Sequence, residues 1–453
     1  MTNRRRFELY LAPLNLNIMM APTRFFLALA AVFILTDLQA QHVVSIDTLN
    51  LQYRKSLIID YGLRAAKVES EFASLTDRSV RNQTLKVYKS RKKDVEEQIN
   101  KGLFFGDNSY TTFLKSQLDV IEKANPNWKE INQVTILVAA AENPNASASA
   151  EGYVVFNLPM FLRATNQFTI AYVLCHEIAH RLLNHSYTSV VASAELNTSS
   201  DIKAKTSSIK KNKYNKGKMA SELFRQIVYE DRKTSRSVEF QADSLGYVLF
   251  AKAFPEAKSE AVNSLLWLSD IDKDKDSISI LHYQKVFSTP NQPFNIKWLE
   301  KDEISDYTYD KTPKFWTIDS LKTHPDCELR AERMTELFTV EKNIPRPADA
   351  GFAELKKSAP FDYIYSLHYL KSYGLSLYHC LLQLQTNPED KWLLQMTRQN
   401  LEKLQELQNL YRLNEALETP DPQYSTSYNT FLHLIREMRK SELNEIITYY
   451  KSI

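Results

Sequence analysis

Apolar positions recur with a helical period along most of this chain, and the exceptions gather in its middle. From about Leu49 to Asn125 the pattern predicts charge-laced helices, as in Val87–Glu97. Phe104, Phe105, Phe113, Leu114, Leu118 and Ile121 supply the core of that scaffold. Val134–Ala139 is a β-rich run ending in turn chemistry at Asn143-Pro144-Asn145, and Tyr153–Phe156 predicts a second strand. Phe168–His185 is apolar on nearly every side and predicts a buried helix. Ser186–Ser237 is long and polar, and its Asp201–Lys218 portion holds seven lysines. That composition predicts a solvated loop, with a lid or a basic docking surface as the alternative. A further helix spans Ser237–Leu249, and residues 255–320 mix helix with loops. Beyond Pro345 and Pro347 the chain reads as a helical tail, with a weak tetratricopeptide likeness around Tyr373–Leu410 and no clean repeat.

These elements predict a mainly α protein with a small β-sheet, of the α+β class. Four segments follow: a leader over 1–40, a helical region over 41–130, a central domain over 131–340 and helices over 341–453. The sequence holds 43% hydrophobic and 25% charged residues, the balance of a globular protein that buries a core. Its 57 basic and 54 acidic groups leave a net charge of only +3, which argues against a nucleic-acid partner. Eight glycines in 453 residues agree with the helical reading.

The apolar helix carries the chemistry. His176-Glu177-Ile178-Ala179-His180 places two imidazoles at i and i+4, on one face and about 6 Å apart along the axis. Both can reach one zinc ion, and Glu177 stands beside it where a general base for water belongs. Unpaired charge in such an apolar helix is expensive, and a metal relieves it. Two histidines leave a catalytic site one protein ligand short. Glu239 is the candidate third ligand, on the later helix, and Asp243 one turn on is placed to fix the tautomer of a ligand histidine. The alternative for that acidic pair is a solvated helix face.

With these motifs the sequence resembles the HtpX-like and CAAX prenyl endopeptidase-like zinc metallopeptidases, metallopeptidase family forty-eight. The resemblance rests on His176–His180, on Glu239-Phe240-Gln241-Ala242-Asp243, and on His324-Pro325 followed by Arg330. Asn145–Ala148 leading into Gly152–Phe156 is similar to the family's strand region. Together these span roughly Val134 to Leu337. The resemblance implies a zincin-like core and a gluzincin-type endopeptidase with one Zn2+ per chain. Its ligands would be His176, His180 and Glu239, and its base Glu177. His324 would sit near the scissile carbonyl and Arg330 near the ligand shell, both in the catalytic set.

Arg24, the apolar run Phe25–Leu35 and Ala40 predict an export signal cleaved after Ala40, which would place the mature chain in the periplasm or outside the cell. The segment upstream of Met19 and Met20 then reads as an extension. No other run approaches the 18 apolar residues of a membrane span. Cys175 beside His176 predicts a packed thiol, and Cys327 and Cys380 are the pair available for a disulfide. The function expected is zinc-dependent cleavage of exported or envelope proteins, with quality control as one role. The C-terminal helices would serve protein partners. Two other classes stay open: a zinc-stabilised binding scaffold, and a zinc hydrolase of cell-wall peptides.

Overall fold

The computed structural model describes residues 46–452 apart from 48–49, 213–215, 272, 274, 300–326 and 341–344, with backbone alone over 217–218 and 220–234. The expected export signal and the His324-Pro325 pair lie outside the described residues. The chain is mostly helical with a small four-stranded mixed sheet. Helices α1 (Leu51–Ala73) and α2 (Arg78–Asn100) lead to β1 (Phe104–Phe105) and α3 (Ser109–Ala124). Strands β2 (Thr135–Ala139), β3 (Ala146–Ala148) and β4 (Tyr153–Asn157) follow, and α4 (Pro159–Arg163) connects them to α5 (Gln167–Leu182). Among the described residues no helix is long and apolar enough to cross a membrane.

The sheet order is β1-β2-β4-β3, with β2 and β4 parallel and both outer strands antiparallel to their neighbours. Side chains alternate across a strand, so one short sheet can serve two cores. Ile136, Val138, Val154 and Phe156 enter the cluster that contains Ile170–Cys175 and Ile178 of α5. Leu137, Ala139 and Tyr153 enter another with Leu57, Tyr61 and Phe72 of α1 and Tyr88 and Ile99 of α2. Burial on both faces explains why Val134–Ala139 reads as a continuous apolar run. The edge nearest the motif helix is β3; the second strand expected from sequence, Tyr153–Phe156, is internal. Phe104 and Phe105, placed among helical residues by their periodicity, form the short β1 because pairing with Ala139 and Val138 buries them.

The polar stretch after the motif helix is not a loop. It forms α6 (His185–Thr198), α7 (Ser200–Lys211) and the start of α8 (Lys216–Ala253). Ser199 caps α7 by accepting from the amide of Ile202, and Lys205 pairs with Asp201 one turn earlier at 2.7 Å. No residue of α7 is buried. Its lysines and alanine favour helix without an apolar face, which a search for amphipathic periods does not register.

Helices α9 (Glu260–Leu268), α10 (Ile280–Phe287) and α11 (Cys327–Phe338) complete the centre. The tail forms α12 (Ala350–Tyr369), α13 (Tyr373–Leu384), α14 (Lys391–Asn409), α15 (Thr426–Glu437) and α16 (Lys440–Ser452). Helix α12 joins two cores: Phe352, Ala359 and Leu367 pack into the central core beside α4, whereas Phe361 and Ile364 pack with the tail. The disulfide considered between Cys327 and Cys380 is absent. The two thiols are buried in different clusters, and Cys175 is a buried thiol as expected.

One buried asparagine fixes where the motif helix begins. Asn166 accepts from the Thr169 amide at 3.0 Å, and its Nδ2 donates to Glu260 Oε2 at 3.1 Å and to the Arg346 carbonyl at 2.7 Å. Asn166→Ala removes a helix cap, about 1 kcal/mol, and leaves buried acceptors short of a donor, about 1–3 kcal/mol more. A loss of about 2–4 kcal/mol in urea unfolding is expected; a change under 0.5 kcal/mol would contradict this account.

Candidate metal centre

The motif helix is buried from Gln167 to Ala179 except at Phe168, so its two histidines and glutamate must find partners within the protein. Glu239, Asp243 and Gly246 lie at i, i+4 and i+7 on one face of α8. At Gly246 the two helices almost touch: an added Cβ would stand 3.1 Å from His176 Cα and 3.2 Å from its amide nitrogen. That close crossing carries the acidic face of α8 onto the imidazoles.

His176 Nε2 lies 3.0 Å from His180 Nε2, and the two Glu239 oxygens lie 3.4 Å from His176 Nε2 and 3.5 Å from His180 Nε2. Donors held about 2.0–2.1 Å from one tetrahedral ion stand about 3.3 Å apart, so this triangle has the size a zinc-like ion requires. Of the described residues, these three form the one group able to hold a metal. The His180 and Glu239 side chains are 14% and 24% exposed, so solvent reaches the triangle.

Behind the triangle lies a buried ionic cluster. Asp243 Oδ1 is 3.0 Å from His176 Nδ1, off the line of a straight hydrogen bond, and Tyr172 donates to the same oxygen at 3.4 Å. Arg330 grips Asp243 with two bonds of 2.7 Å and reaches Glu239 Oε2 at 3.0 Å. Burial alone would lower the pKa of His176, but the adjacent Asp243 and Glu239 carboxylates prevail and carry it up to about 10. Burial raises Glu239, and the stronger pull of His176 and Arg330 takes it well below the carboxylate range. Burial, with neighbouring His176, drives His180 down to about 3. The carboxylates thus demand positive charge where the three donors converge, and a divalent cation answers that demand.

Glu177 is buried beside the triangle, and burial pushes its pKa up to about 7. Its carboxylate accepts the backbone N–H of Ala148 on β3. The carbonyl of the same residue accepts from Ser186 Oγ at 2.6 Å. The edge strand is therefore tied to both motif-bearing helices.

The sequence reading gives no role to His185 or Gln241, yet both belong to the centre. Asn184, in the left-handed region at φ 55°, ends α5 and turns the chain so that α6 opens with His185 against His180. His185 Nδ1 is 3.1 Å from His180 Nδ1, and His185 Nε2 is 3.2 Å from Gln241 Oε1. An amide oxygen only accepts, so His185 donates from Nε2 and accepts at Nδ1. His180 then donates from Nδ1, leaving its Nε2 lone pair aimed at the triangle. A histidine five residues past the motif and a glutamine between two acids were the available signals.

Glu177, Glu239, Asp243 and Arg330 converge with the histidine pair, while His324 lies outside the described residues. The sequence profile of peptidase family M48 matches residues 115–338, just under half the chain, ending with the helix that carries Arg330. Over those residues the chain is similar to peptidase family M48. M48 peptidases are metal-dependent, in keeping with the donor triangle. No curated protein matches the chain. Helices α1 and α2 precede the M48 match and α12–α16 follow it.

Two outcomes follow from this geometry. Gly246→Val should part α5 from α8 and weaken metal binding at least about tenfold in chelator competition. Gly62→Ala, where nothing lies within 4 Å of the new methyl group, should leave affinity unchanged and raise stability by about 0.5–1 kcal/mol. His185→Phe keeps a ring but removes the acceptor for His180, and should cost about 10–100-fold in metal affinity. Unaltered affinity in either site variant would show that its contact does not orient the donors.

Proposed function

We propose that this chain is a zinc-dependent endopeptidase that cleaves polypeptide segments of exported proteins, consistent with a quality-control role. The observation that carries the reading is the donor triangle of His176, His180 and Glu239 with Glu177 beside it. Two imidazole nitrogens and a carboxylate suit zinc, and an open fourth position suits catalysis. A bound zinc ion would supply Lewis acidity, polarising a scissile carbonyl and acidifying the attacking water.

The chain's own groups do the rest. A Glu177 carboxylate oxygen takes the proton from the water as it attacks and returns it to the leaving amine. Its elevated pKa suits a group that must both accept and release a proton near neutrality. The Ala148 N–H aims that carboxylate. Arg330 has its guanidinium engaged by Glu239 and Asp243, so it acts through them as a positioning residue, holding the charge behind the ligands. His324, three residues before α11, is proposed to stabilise the oxyanion. Strand β3 beside Glu177 offers backbone groups to an extended peptide, which needs no free terminus to bind there. The export element of the proposal rests on the pattern at residues 24–40.

Purified protein should contain about one zinc per chain by elemental analysis, falling in His176→Ala and in Glu239→Ala. Glu177→Gln should keep its metal and lose at least about 100-fold in casein cleavage. Zinc unaffected by Glu239→Ala, or full proteolysis by Glu177→Gln, would refute the assignment.

A further inference from the structure

The sheet face opposite the metal centre bounds a cavity of about 410 Å³. Odd-numbered strand residues form one wall, among them Leu137, Ser147 and Val155. Tyr61 of α1 and Val95 and Ile99 of α2 line the cavity with them. The lining is chiefly apolar, with Ser147, Ser149 and Glu151 among its polar members. Its volume lies in the range of small-ligand pockets, although it stands in no contact with the donor triangle.

The register of β3 connects this cavity to the cleft. The Asn157 amide donates to the Asn145 carbonyl, and the Ser149 amide donates to the Tyr153 carbonyl. Odd residues of β3 therefore face the β4 ladder, and Ala146 and Ala148 face away from it. The outward groups of Ala148 are taken by Glu177 and Ser186. Ala146 is the position from which an added strand would run toward Glu177. Directly opposed residues in a sheet share a face. A substrate residue opposite Ala146 would turn its side chain toward the motif helix. Its neighbour opposite Ser147 would turn toward the cavity.

We propose that the cavity is a specificity subsite of the peptidase, receiving the substrate side chain opposite Ser147 and selecting large apolar residues there. The proposal rests on the peptidase reading for its strand-addition geometry. It deepens that reading by naming the substrate class: extended segments with a large apolar side chain at the position opposite Ser147. Backbone bonds at a sheet edge give affinity without sequence preference, and pockets for alternate side chains supply the preference. Helices α1 and α2 lie before residue 115, so one wall of the subsite falls outside the family match. The Glu151 carboxylate, which accepts from Tyr88 at 2.8 Å, sets a negative group at the lining and disfavours acidic residues.

Binding can be read without turnover by using full-length Glu177→Gln protein loaded with zinc. Fluorescein-labelled nonapeptides of alternating Leu and Ser, and of Ser alone, would be compared by anisotropy. The Leu peptide should bind at least tenfold more tightly. Val155→Phe, filling the cavity from the sheet, and Val95→Phe, filling it from α2, should each remove most of that advantage. Circular dichroism identifies a variant that fails to fold, and the other then decides. Equal affinity for the two peptides, or a Leu advantage that survives the folded variants, would overturn the subsite. A Leu advantage abolished by both variants, together with no casein cleavage by the wild-type enzyme, would sustain the subsite and overturn the peptidase reading alone.

Discussion

The site depends on a crossing of two helices where one residue has no side chain. Gly246 lets α8 lie against the backbone of His176 at a spacing that a methyl group would already strain. The same face of α8 carries Glu239 and Asp243, so the close approach sets both the edge of the donor triangle and the contact behind it. Few geometries satisfy both at once, because ion ligation tolerates errors of only a few tenths of an ångström. The packed cores on either side keep the two helices from separating.

Charge is managed in layers around that crossing. The buried Asp243 carboxylate and Arg330 guanidinium, and the partly buried Glu239 carboxylate, would each be costly alone. Arg330 neutralises Asp243 through a two-pronged contact and still reaches Glu239, and Asp243 abuts His176. The upward shift at His176 and the downward shift at His180 record the imbalance that remains at the donors. On the far side, His185 and Gln241 set the hydrogen-bond direction at His180 through neutral groups. One histidine is thus supported by a charged partner and the other by a neutral relay.

The sheet is small but does two jobs through its two-residue period. The even positions of β2 and β4 pack on the motif helix and their odd positions meet the N-terminal helices, with the parity reversed in β1. The sheet's edge strand touches the Glu177 carboxylate through one backbone amide. A shift of β3 by a single residue would exchange the faces of Ala146, Ser147 and Ala148 and remove that contact. Ser186, donating to the Ala148 carbonyl, holds the strand where Glu177 needs it.

Local sequence was enough to determine several things about this protein. Helical spacing placed His176 and His180 on one face, the acidic pair at Glu239 and Asp243 announced a companion face, and the continuous run at 134–139 announced a buried strand. Each depends on neighbours within one or two turns, which is the range that residue spacing encodes. The family likeness read from the same motifs agrees with the M48 match over 115–338. Tertiary structure decided the rest. It converted a lysine-rich stretch into helices with little apolar signature, placed Tyr153–Phe156 inside the sheet with Ala146–Ala148 at its edge, and separated Cys327 from Cys380. It also brought in His185 and Gln241, whose roles exist only because a left-handed turn at Asn184 folds one helix back on another. Contacts between residues distant in the chain depend on how whole elements pack, and no local period carries that information.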